Sequence, residues 1–172
     1  MKILLTYSSK TGNTKQVAEA IGASLNGNIE LASISNAPDY NEYDLVIVGF
    51  WIDKGRPNTE ALRYIRTLNS AQTAFFFTLG ADAESNHAKQ CLERCRNYFK
   101  GNTLLGEFCC QGKISPKLVN FLKKLPAWFP HGPNKERVAR WESASTHPDN
   151  NDLQCAGEYF SELCENFKTN VG

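Results

Sequence analysis

The sequence has no apolar run approaching the eighteen or more residues of a membrane span. Its first residues lead straight into a strand-like pattern, without a basic stretch, a long apolar core or a small-residue cleavage site. No membrane partner is expected, and a cytoplasmic location is. Charge of neither sign dominates: 19 Lys and Arg stand against 18 Asp and Glu, a net +1. With no nucleic-acid motif either, nucleic acid is a poor fit as a partner. None of the six cysteines forms a CxxC pair. Cys91, Cys95 and Cys164 fall on apolar helix stripes, and adjacent Cys109 and Cys110 on a strand face opposite ways, so the set reads as small buried hydrophobes. No metal site is assigned, and His87 reads as a helix-surface residue.

What is present is an alternation of strand and helix. A chain of 172 residues, 41% hydrophobic, suits one domain spanning 1–172. Strand patterns occur at Lys2–Tyr7, Ile29–Ile34, Asp44–Trp51, Thr73–Leu79 and Thr103–Cys110. The third is apolar throughout, as a strand covered on both faces requires. Helix stripes lie between them: Val17, Ile21 and Leu25; Ala61, Leu62, Ile65 and Leu68; Ala88, Cys91, Leu92, Cys95, Tyr98 and Phe99. A last helix starting near Asn150 or Asn151 carries Leu153, Ala156, Phe160, Leu163 and Phe167. Five strands with intervening helices imply an α/β doubly wound parallel sheet.

The stretch Ser9-Lys10-Thr11-Gly12-Asn13-Thr14 joins the first strand to the first helix. Hydroxyls of Ser9, Thr11 and Thr14, the Asn13 amide and backbone N–H groups around Gly12 can converge where the helix dipole favours an anion. This is a phosphate cradle of mostly neutral donors. An ordinary strand–turn–helix cap uses the same residue types, but six consecutive matching positions exceed what capping demands.

The pattern Ser-x-Thr-Gly-Asn-Thr after an N-terminal strand resembles the first FMN-phosphate loop of the flavodoxin family. The resemblance implies a flavodoxin-like three-layer sandwich with strand order 2-1-3-4-5 and FMN as cofactor. In such sheets ligands bind beyond the carboxyl ends of the strands, where the strand order reverses. Two further loops then matter: Phe50-Trp51-Ile52-Asp53-Lys54-Gly55-Arg56-Pro57 and Thr78-Leu79-Gly80-Ala81-Asp82-Ala83-Glu84. In the family these hold the isoalloxazine ring, commonly between aromatic side chains, and a glycine peptide in the second loop adjusts its bond to flavin N5. Phe50 and Trp51 are the aromatic candidates, and because strand neighbours face opposite sides one of them is expected in the core. Gly55 is available for the peptide change. Gly80 and Asp82 resemble the family's Gly-Asp pair with Ala81 inserted, and no tyrosine follows. Trp51–Gly55 and His147–Leu153 resemble segments of divergent small flavodoxins, some of them associated with bile-pigment reduction.

Residues 113–148 form an insert before the last helix, too long for a simple connection. Ser115–Leu125 has a helical pattern, Pro126–Pro133 is a rigid aromatic loop, and Asn134–Trp141 can form a short helix. Lys113, Lys117, Lys123, Lys124, Lys135, Arg137 and Arg140 make it basic against Glu136 and Glu142. A solvated helix face is the plain reading. The functional one is a lid in which Trp128 or Phe129 covers the flavin while the basic residues receive an acidic redox partner protein or an anionic small-molecule acceptor. The exposed apolar residues equally suit a homodimer contact. Lys10, Lys54 and Arg56 are expected to favour reduced flavin and raise its potential above that of acidic flavodoxins.

The expected function is electron transfer by an FMN-binding protein. The alternatives are an FMN-dependent reductase of a small organic substrate and a flavin-free interaction module. A response-regulator receiver would find Asp53, Thr78 and Lys113 well placed, but Ser8-Ser9 stands where it needs an acidic pair for Mg²⁺. A P-loop is weaker still, for Ser9–Thr14 lacks Gly-Lys-Ser/Thr.

Overall fold

Ile3, Leu4 and Leu5 are all buried, and their side chains alternate between the two faces of one sheet. The computed structural model describes residues 1–126, 128–129 and 132–171, the last two by backbone alone. Strands β1 (Lys2–Tyr7), β2 (Asn28–Ser33), β3 (Leu45–Asp53), β5 (Gln72–Leu79) and β6 (Thr103–Gln111) make a parallel sheet. Its order is β2-β1-β3-β5-β6. This is the expected 2-1-3-4-5, renumbered because a two-residue strand, β4 (Arg56–Pro57), folds back on β3.

Helices cover both faces. On one, α1 (Asn13–Ser24) and α6 (Asn150–Val171) bury Val17, Ile21 and Phe160 against Ile3, Leu5, Ile47 and Phe76. On the other, α2 (Thr59–Ile65) and α3 (Asn86–Arg96) bury Ile65, Cys91 and Cys95 against Leu4, Val48, Phe50, Phe75 and Phe77. Each large side chain so buried stabilises the fold by roughly 1.5–3 kcal/mol. Gly49 is dictated by this packing: a Cβ there would lie 2.1 Å from the Phe76 ring. Two helices of the insert, α4 (Pro116–Lys123) and α5 (Lys135–Ser143), follow β6.

Some boundaries depart from expectation for visible reasons. β3 continues two residues past Trp51 because Ile52 and Asp53 pair with Pro57 and Arg56. β6 bulges at Leu105, where the register steps from Thr73↔Leu104 to Ala74↔Gly106. Gly106 then lies beneath Tyr159 and Leu163 of α6. At the start of α6, Asp149 accepts a bond from the Asp152 N–H and Asp152 accepts one from the Asp149 N–H, both 2.9 Å. That reciprocal cap, with His147 Nδ1 2.5 Å from Asp152, explains the polar lead-in to the helix.

All six cysteines are free, and Cys91, Cys95, Cys110 and Cys164 are buried as expected. Cys155 is the correction: it lies on the outer face of α6, exposed. Burial pushes the Cys109 and Cys164 thiols up to about 11, and those of Cys91, Cys95 and Cys110 upward as well. Of the aromatic loop Pro126–Pro133, residues Ala127, Pro130 and His131 lie outside the described residues.

Candidate functional site

Gly12 precedes α1 with φ +93°, the left-handed region that glycine enters at little cost. Nothing lies within 4 Å of where its Cβ would be, so the backbone angle rather than crowding requires glycine. The turn aims the first amides of α1 outward. Among the described residues, no acceptor meets the N–H groups of Thr11, Gly12, Asn13 or Thr14.

The side chains of this loop are held, yet each keeps a donor hydrogen. Ser9 Oγ accepts from the Lys15 N–H at 3.3 Å, so its own hydroxyl hydrogen is unused in that bond. Asn13 Nδ2 donates one of its two hydrogens to the Lys113 carbonyl at 2.8 Å. Thr14 and Thr78 share one hydrogen between hydroxyls 3.0 Å apart, which leaves the pair a second. Thr11 and Lys10 are exposed. The cradle therefore combines free amides, several hydroxyls, an amide side chain and a lysine, a donor set suited to a phosphate.

The second loop is a β-hairpin. Phe50, Trp51, Ile52 and Asp53 belong to β3, and Lys54 and Gly55 form a two-residue turn with φ of +51° and +76°. Gly55 is buried, and a Cβ there would come 2.8 Å from Arg94 Nη1 of α3. Phe50 is corrected as a candidate contact, being 0% exposed among Phe75 and Phe77. Trp51 faces the other way, half-buried at the rim, with Lys10 Nζ 5.6 Å from its ring centre. That cation–π contact joins the first loop to the second.

In the third loop Thr78 meets Thr14, while Leu79 is buried and Ala81 packs against the α3-side core. Asp82 accepts from the Glu84 N–H at 2.7 Å, and its carbonyl receives the Ser85 hydroxyl at 2.6 Å. Its carboxylate thus shapes its own turn, and Ser85 caps α3 by accepting from the Ala88 N–H. Gly80 lies under the root of the insert, where a Cβ would be 2.8 Å from Ile114.

Two groups went unforeseen. Gly112 and, at the root of the insert, Lys113 adjoin the cradle: a Cβ at Gly112 would lie 3.0 Å from Asn13 Nδ2 and 3.1 Å from Thr78. Their place directly after the fifth strand was the available signal. Behind the cradle, Asn58 Nδ2 donates to Ser8 Oγ at 2.8 Å, and Ser8 donates to Glu60 at 2.5 Å. Asn58 stands at the start of α2, and its side chain turns to Ser8 rather than capping the helix. Trp128, one of the two residues expected to form a lid, is 82% exposed, and its ring lies 6.1 Å from that of Phe129.

A parallel sheet of this order, with a donor-rich loop at the reversal point, defines the flavodoxin type of α/β protein. A model of the flavodoxin domain matches residues 4–161, and the chain belongs to that family. It is similar to the flavodoxin-like domain-containing protein BilS of Clostridioides difficile, 29% identical over 169 residues that make 95% of this chain and 96% of that one. A BilS of Clostridium symbiosum is 26% identical, covering 89% of this chain and 90% of that protein. In fold the chain is similar to oxidised Flavodoxin 2 from Bacillus cereus, with a TM-score of 0.58, 18% identity, and coverage of 96% of this chain and 99% of that one. A flavoprotein in complex with FMN from Lactobacillus acidophilus gives 0.54 and 22%, covering 63% of this chain and 93% of that one.

Proposed function

We propose that the chain binds FMN, with the phosphate in the Ser9–Thr14 loop, and carries electrons between partners in the cytoplasm. The observation that carries this reading is the Gly12 turn, which presents free α1 amides beside Ser9, Thr11, Asn13 and the Thr14–Thr78 pair, each with a donor to offer. The Lactobacillus flavoprotein with the same fold is in complex with FMN.

When bound, the flavin supplies the redox chemistry. The chain's residues do the rest. The cradle neutralises the phosphate, Trp51 offers an aromatic face at the rim, and the Lys54–Gly55 turn and Gly80–Asp82 frame the sides. Lys10 brings positive charge beside Trp51. Among the described residues, no helix is long and apolar enough to cross a membrane.

The alternative reading is an FMN-dependent reductase of a small organic substrate. The flavin-free module is the weaker alternative, since such a module would have no use for an intact donor loop. Anaerobic reduction separates carrier from reductase. The flavin bleaches with dithionite or a reduced partner protein, and slowly or not at all with NADH or NADPH. Nicotinamide reduction at catalytic rates would establish the reductase.

A further inference from the structure

The insert concentrates two properties that seldom coincide on a solvated surface. Residues 113–148 hold seven Lys and Arg against two Glu, a net +5 in a chain of total +1, which leaves −4 for the remainder. Between Lys113 and Lys135 there is no acidic residue. In the same segment large apolar side chains face outward: Leu118 is 48% exposed and Phe121 61%. They lie three residues apart on α4 and so share a face, with Lys117 beside them. Val119, Leu122 and Leu125 are only half-exposed, so α4 is seated by one side and bare on the other.

The segment that leads into the helix is fastened to the rim of the three loops. The Lys113 carbonyl accepts from Asn13, the Gly112 N–H donates to the Leu79 carbonyl at 2.8 Å, and Ile114 covers Gly80. Whatever docks on α4 is held next to the three loops of the proposed flavin site.

We infer that the exposed stripe of α4, Leu118 and Phe121 with Lys113, Lys117 and Lys124 around them, is the docking surface for an acidic redox protein. The inference rests on the carrier reading. An apolar stripe flanked by charge of one sign suits a protein interface, and its positive sign calls for carboxylates opposite. A second copy of this chain is disfavoured, because a two-fold pair of α4 helices would set lysines against lysines. A lipid surface is disfavoured because electrons must reach the rim from the docked partner.

The test uses the 172-residue chain with an oxidised acidic two-iron ferredoxin as probe and basic cytochrome c as counter-probe, followed by calorimetry. The association needs no flavin, so loss of FMN binding by the wild type, seen separately by absorption, would overturn the carrier reading without obscuring this measurement. The expected result is binding to ferredoxin that weakens about tenfold or more between about 0.02 M and about 0.3 M salt. Lys117→Glu with Lys124→Glu weakens it by a similar factor at low salt. Leu118→Ser with Phe121→Ser weakens it while leaving the salt dependence in place. Both pairs of changes leave FMN affinity and the melting temperature as in the wild type. The inference is overturned by equal binding of the variants, by preference for cytochrome c, by sedimentation with phosphatidylserine vesicles in place of ferredoxin binding, or by a dimer that the Leu118 and Phe121 changes dissolve.

Discussion

Gly12 and Lys10 show what single residues contribute. Gly12→Ala meets no atom, so its effect comes from the +93° backbone angle, disfavoured by about 1–2 kcal/mol for an L side chain. The expected outcome is FMN affinity reduced roughly tenfold, with a melting temperature lowered by only a few degrees. Fluorescence titration of FMN and a thermal melt on the same sample check both. Lys10, exposed and over Trp51, is expected to stabilise reduced flavin by about 0.5–1 kcal/mol. Lys10→Met should therefore lower the flavin midpoint potential by roughly 20–40 mV per electron, measured by redox titration. A rise would show that Lys10 does not act on the flavin electrostatically.

The candidate cradle was readable at this scale because its residues are local, side-chain donors grouped around a glycine that allows the turn. The aromatic positions were less so. Period-2 alternation says that Phe50 and Trp51 oppose each other, but which of them meets Phe75 and Phe77 depends on strands far along the chain. Asp82 has a local role that the sequence alone did not show. A carboxylate two residues before a free N–H closes its own turn, and it does so here with Glu84.

The strands and long helices were legible at the scale of elements, since buried strands are continuous apolar runs and helices carry stripes. The hairpin was not. Two residues, Arg56 and Pro57, are too few to show a period, and the turn depends on Lys54 and Gly55 both taking positive φ. The Leu105 bulge escaped similarly, because Leu104 and Leu105 are both apolar and nothing local tells which one is extra. For α6, the reciprocal Asp149–Asp152 cap makes a separate prediction. Asp152→Ala removes one acceptor from the helix start and the partner of His147. A loss of about 1 kcal/mol is expected, some 2–4 °C in melting temperature, with FMN affinity unchanged.

Across the whole molecule, buried thiols set a limit on alkaline stability. Cys109 and Cys164 are raised by burial from 9.0 to about 11, and Tyr64 by burial from 10.0 to about 12. Below pH 9 these groups are protonated in both the folded and unfolded chain and have no effect on the balance. Between about pH 9 and 11 the unfolded chain releases thiol protons that the folded chain retains, so stability falls as pH rises. Urea midpoints at pH 7, 8 and 10 should show a level segment and then a decline. A midpoint that holds to pH 10 would contradict the burial of these side chains. At pH 7 a maleimide should label Cys155 quickly and the buried Cys91, Cys95, Cys110 and Cys164 only on unfolding.

The insert was legible as basic and partly helical, but how it attaches was not. Only the folded chain brings Lys113 to Asn13 and Ile114 to Gly80, residues separated in sequence and joined at the rim. The point on which the rest depends is the proposed binding of phosphate by the Ser9–Thr14 loop. Titration of the purified, flavin-stripped protein with FMN, followed by visible absorption and quenching of flavin fluorescence, tests that point most directly. The account predicts saturable one-to-one binding at micromolar FMN or below, with riboflavin, which lacks the phosphate, bound at least tenfold more weakly. No binding at high FMN, or equal affinity for riboflavin, would contradict it.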